Sequence, residues 1–100
     1  MKKYELIKDD LSIKTEVYYN KGGMNYFSGR TEERGYYLSV SPVRRQERGN
    51  IVTECFTAFS GVKMLILPVK RKSDKAYQQA VELAKEKEPA LRQRILEQIV

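Results

Sequence analysis

From Leu11 to Tyr19 the chain alternates. Leu11, Ile13, Thr15, Val17 and Tyr19 fall on one side of an extended backbone, and Ser12, Lys14, Glu16 and Tyr18 on the other. A period of two marks a strand with one face in a core and one in water, and it sets Tyr18 on the solvent side. The pattern stops at Asn20-Lys21-Gly22-Gly23, where adjacent glycines admit positive φ and cost a strand interior too much entropy. It resumes at Tyr36: Tyr36, Leu38, Val40 and Pro42 alternate with Tyr37, Ser39, Ser41 and Val43. This predicts a second strand with Tyr37 on its polar face and Pro42 at its end or on an edge, because proline donates nothing to a ladder. Between the two, Met24 to Ser28 reads as a short extra strand and Gly29 to Gly35 as a polar loop bearing Arg30 and Arg34. The insertion is longer than an ordinary hairpin turn, and loops of that kind are where binding residues tend to sit.

Arg44-Arg45-Gln46-Glu47-Arg48-Gly49-Asn50 then reads as a turn with three arginines. Ile51 to Phe59, rich in β-branched and aromatic residues, is the third predicted strand, and Ser60-Gly61 is a tight connection to a fourth, Val62 to Val69. The fourth loses its alternation after Met64, as expected of a strand covered on both faces. Lys70-Arg71-Lys72 closes the sheet region. Ser73 is a good helix N-cap, Asp74 suits the positive end of the helix dipole, and an apolar stripe recurs at helical spacing from Ala76 to Ile99. Pro89 interrupts it, yet Tyr77, Ala84 and Leu91 stay in phase across the proline, predicting two helices or one kinked or broken near Pro89. Short connections favour a meander. The expected fold is therefore α+β: one domain over residues 1–100, with an antiparallel four-stranded sheet within 4–69 and a helical region over 73–100. One amphipathic helix covers one side of a sheet, so the other face calls for a homodimer, another partner or a sheet curled towards a barrel.

Composition narrows the class. Hydrophobic residues at 41% and charged residues at 32% suit a folded chain able to bury a core without metal or disulfide. MKKYELIKDD lacks the apolar run of a signal peptide, and the longest apolar block, Met64 to Val69, is too short to span a bilayer, so a cytoplasmic setting without a membrane partner is expected. Cys55 is the sole cysteine and cannot close an intrachain disulfide. Among Thr53, Phe56 and Thr57 it is expected to be a small buried apolar residue. The net charge of +6 is unevenly spread: residues 1–75 hold 15 Lys and Arg against 9 Asp and Glu, and residues 76–100 are balanced. Such an excess attracts phosphate backbones and acidic proteins alike.

Catalysis is poorly provided for. No histidine is present, which removes the commonest general base and metal ligand together, and a lone cysteine lacks its usual activating partner. Gly22-Gly23 has neither the spacing nor the lysine of a phosphate-binding loop. The expectation is a protein that is not an enzyme and uses no cofactor or metal. Binding is better represented. Arg30, Arg34, Arg44, Arg45 and Arg48 fall in two loops expected to be neighbours, and arginine's planar fork suits phosphate and carboxylate. Tyr18 and Tyr37, outward on adjacent strands, either offer stacking surfaces for unpaired bases or pack on each other across the strands. Lys70, Arg71 and Lys72 add a compact basic cluster at a helix start.

The function expected from these residues is nucleic-acid binding, to DNA or RNA with single strands favoured, or else the grip of an acidic protein. The alternative is a protein-interaction module: a homodimer, an adaptor or an inhibitor of a host system. The stretches YYNKGGMNYFSG and RGYYLSVSPV resemble small uncharacterised proteins of phages and bacterial mobile elements, over residues 17–72. The resemblance implies a setting in DNA metabolism or counter-defence and assigns no residue a role.

Overall fold

A computed structural model describes residues 1–24, 26–27 and 29–99. The strands are β1 (Lys2–Lys8), β2 (Leu11–Asn20), β3 (Gly23–Met24), β4 (Thr31–Glu32), β5 (Gly35–Arg48), β6 (Ile51–Phe56) and β7 (Val62–Leu67), followed by a single helix, α1 (Asp74–Ile99). Five of them form one antiparallel sheet in the order β1-β2-β5-β6, with β7 also on β5. The α+β class and the C-terminal helix are as the sequence predicts. The predicted short strand at Met24 to Ser28 is represented by Met24 in β3, and Asn25 and Ser28 lie outside the described residues.

The sheet departs from the four-stranded prediction in three ways. Lys2–Lys8 is an additional strand, paired along β2. Arg44 to Arg48, expected as a turn, prolongs β5 to 14 residues. The third and fourth predicted strands are not neighbours. β7 pairs with Tyr36 to Val40 and β6 with Val43 to Arg48, both along the same edge of β5, so β6 and β7 lie end to end with residues 57–61 between them. Charge misled the reading of 44–48, because exposed strand positions hold arginine as readily as loops do. Arg44 is fixed there by Asp10 at 2.7 Å, and Arg45 lies 4.3 Å over the Tyr4 ring.

The gap between β6 and β7 explains Pro42. It sits inside β5 opposite Ile13, but at the point on the other edge between Val40, where the pairing with β7 stops, and Val43, where the pairing with β6 starts. Gly61 closes the same gap: a Cβ there would meet Ser41 Cβ at 2.8 Å, closer than real side chains come.

The predicted alternation becomes two faces. Ile13, Val17, Tyr36, Leu38, Val40 and Ile66 pack under α1 against Ala80, Ala84, Leu91 and Ile95. These four helix residues lie on both sides of Pro89, and their shared stripe holds α1 as one element, so of the predicted alternatives, two helices or one kinked or broken near Pro89, the chain forms one helix. Burial of that stripe offsets the hydrogen bond that proline removes. Ser73 caps the helix, accepting the Ala76 N–H at 3.1 Å, and Arg92 reaches back in a two-pronged pair to Glu5 on β1. No helix among the described residues is long and apolar enough to cross a membrane.

The opposite face is covered at one end by the insertion between β2 and β5. There Glu32 pairs with Lys63 and accepts the Asn20 Nδ2–H at 2.5 Å, while Tyr37 donates its hydroxyl to the Glu33 carbonyl at 2.7 Å. This cover accounts for the apolar residue on β7's second face: Leu65 lies opposite Tyr37. Gly35 ends the insertion with φ 152° so close to β7 that a Cβ would collide with the Leu67 carbonyl and meet Pro68 Cα at 3.0 Å.

Candidate functional site

In a meander, successive turns fall at alternate ends of the sheet, and this divides the predicted site residues. Arg30 and Arg34 belong to the insertion at the start of β5, whereas Arg44, Arg45 and Arg48 occupy its last residues. At about 3.3 Å per strand residue they stand at opposite ends of a molecule whose longest dimension is 40 Å. The expectation that the two arginine groups are neighbours is therefore overturned.

What joins Arg34 instead is the tract after β7. Arg34 Nε donates to the Lys21 carbonyl at 2.9 Å and its Nη1 to the Lys70 carbonyl at 3.4 Å, and the Tyr19 hydroxyl donates to the same Lys70 carbonyl at 3.0 Å. One residue beyond Lys72, the Tyr36 hydroxyl donates to the Ser73 carbonyl at 3.2 Å and accepts the Ser73 N–H at 3.3 Å. The backbone of Lys70-Arg71-Lys72 is thus tied at both ends while all three side chains are exposed. Beside it opens a cleft of about 540 Å³, lined in part by Val17, Tyr19, Tyr36, Lys72, Asp74 and Tyr77. The rings stand obliquely, Tyr19 to Tyr36 at 5.3 Å and 62°, and Tyr36 to Tyr77 at 6.1 Å and 54°. Oblique aromatic walls beside cations can take a flat, partly apolar group joined to an anionic one.

Of the tyrosine pair singled out in the sequence, Tyr18 also lines this cleft and Tyr37 does not. Tyr18 and Tyr37 stack on each other at 5.9 Å and 19°, so the packing alternative holds, and Tyr37 is only 6% exposed. Burial pushes both phenols up in pKa, with the Glu32 carboxylate adding to the rise. Lys63 lies 5.6 Å from the Tyr37 ring centre, and its hydrogen bond to Glu32 raises its own pKa. Tyr37 is thereby removed from any role in stacking a base.

At the far end, Arg44 is held by Asp10, and Arg45 has its guanidinium on Tyr4 and its Nε buried without a hydrogen-bond acceptor among the described residues. Arg48 is exposed at the hairpin tip. Nearby, Glu54 accepts from the Tyr4 hydroxyl and from Lys14 at 3.3 Å; these bonds lower the Glu54 pKa, and the bond to Glu54 raises that of Tyr4. Burial pulls Lys14 down, but the hydrogen bond and charge of Glu54 more than reverse this, leaving it raised. Cys55, expected to be buried, is exposed, because β6 projects past the core that would have enclosed it.

Tyr19 and Tyr77 escaped the sequence reading, which assigned both to the core. Their meeting depends on α1 starting at the end of the sheet where β2 finishes, a consequence of topology that no local pattern records. No protein-family model, curated protein or solved structure matches this chain.

Proposed function

We propose that the protein is a small, non-enzymatic binder of nucleic acid that engages an unpaired strand through the end of the sheet where Lys72 lines the tyrosine cleft and Lys70, Arg71 and Arg34 continue the basic surface from it. The observation that carries this reading is the anchoring of the basic tract. Tyr19, Arg34 and Tyr36 hold its backbone, so its cations are presented from a fixed platform next to aromatic rings. Stacking on Tyr19 and Tyr77, the part-exposed rings of the cleft, tolerates any base, while the lysines and arginines follow the phosphates. Arg44 and Arg45, engaged by Asp10 and Tyr4, contribute less than their charge suggests.

Gel-shift titration with single- and double-stranded DNA and RNA at two salt concentrations tests the proposal. Single strands should bind most tightly and weaken steeply with salt. Replacing Lys70, Arg71 and Lys72 together by alanine should flatten the logarithmic salt slope by about 2, while the Arg44→Ala and Arg45→Ala pair should change it less. Absence of any shift at low salt would sink the reading.

A further inference from the structure

We infer that the outer edge of β6 is the docking site for a second copy of this chain, the two β6 strands pairing antiparallel about a twofold axis and continuing the sheet from one copy into the other. β6 is bonded to β5 along one side, and among the described residues no strand pairs with its other side. An open edge offers a row of backbone donors and acceptors to any extended chain, and natural proteins guard such edges with lysine, proline or short length. The other boundaries of this sheet are guarded. β1 carries Lys2, Lys3 and Lys8, and β7 carries Lys63 with Pro68 directly after it. β6, IVTECF, has none of these guards; its one charge, Glu54, is already bonded to Tyr4 and Lys14.

Self-complementarity points to a second copy as the occupant. Val52, Glu54 and Phe56 share the sheet face turned away from the helix, and Val52 and Phe56 are 49% and 99% exposed. With Glu54 at the twofold axis, Val52 of each copy lies opposite Phe56 of the other, so one axis makes the aromatic and β-branched pair twice. The two Glu54 carboxylates come together there, each with its own Lys14 beside it. Six residues of edge supply less than the roughly 800 Å² per partner of a standard interface, so the association is reversible and concentration-dependent. Two copies of charge +6 repel, and salt therefore strengthens the pairing, opposite to its effect on phosphate binding.

Sedimentation velocity on the full chain, free of nucleic acid, over a wide concentration range at low and high salt reads this directly. The mass should rise from 11.7 kDa towards twice that value with concentration, sooner at high salt. Val52→Lys, a guard placed on an exposed side chain, should keep the protein monomeric with an unchanged circular dichroism spectrum. Leu6→Lys, on the β1 edge, should dimerise like the wild type. A monomer at every concentration overturns the inference and leaves the edge to a strand from another protein. A dimer that persists in Val52→Lys overturns it in favour of another surface.

Discussion

From Gly35 to Val40, β5 lies beneath α1 with β2 on one side and β7 on the other, and four of its side chains are in the core or sealed beneath the insertion. From Arg44 to Arg48 the same strand runs beyond the helix with β6 at its side, and every residue of β6 is exposed. The covered half is paired along both edges, whereas beyond Arg44 β6 is the one strand neighbour among the described residues, so the halves differ in pairing as well as in what covers the sheet. Where the helix and the insertion close over it, burial stabilises the fold. Where neither reaches, apolar side chains such as Ile51 and Phe56 stay exposed. One long strand thus joins a buried half to an exposed half.

The largest expected effect sets the halves furthest apart. Leu38 is fully buried beneath the helix, and Leu38→Ala should cost about 3 kcal/mol or more in urea unfolding, from lost transfer energy and the cavity left behind. Thr53→Ala, at the middle of β6, should stay within about 0.5 kcal/mol. Equal losses at the two positions would mean that the open half is part of the cooperative core.

The same contrast shows where sequence was informative. Period two identified β2 and the buried half of β5 because burial forces alternation, and the amphipathic stripe located α1 for the same reason. The open half has no such constraint: Arg44 to Arg48 reads as a loop because no face of it must be apolar. The candidate site was legible as charge at Lys70 to Lys72 and Arg34, and the tyrosine pair at Tyr18 and Tyr37 was visible as a cluster. That Tyr19 and Tyr77 meet around Tyr36 beside the basic tract follows from where α1 begins relative to the end of β2, which only the assembled fold determines.

A smaller effect of opposite sign should sharpen the covered half. Pro89 is exposed inside α1, where it leaves the Lys85 carbonyl without its helical donor. Pro89→Ala should therefore stabilise the protein by about 2 kcal/mol, seen as a higher urea midpoint, with protection of β7 amides from hydrogen exchange rising and that of β6 amides unchanged. A loss of stability would indicate that the proline is fitted to the path of the helix over the sheet.

The smallest effect is electrostatic and separates the halves by pH. Glu5 is held below its ordinary pKa by its hydrogen bond to Arg92, which ties β1 to α1; Glu54 is held down by its bonds to Tyr4 and Lys14, which tie β6 to the rest of the sheet. A carboxylate with a depressed folded-state pKa contributes stability above its unfolded value, near 4.3, and loses that contribution as pH falls through the folded value. The wild type should thus have a higher melting temperature than Glu5→Gln at pH 7, by about 2 °C given how exposed the pair is, and the gap should close as the pH is lowered below about 4. Glu54→Gln should shift the global midpoint less, because the strand it secures lies outside the buried core, and should instead lower amide protection within β6. A larger melting shift for Glu54→Gln than for Glu5→Gln would reverse the assignment of stability to the covered half.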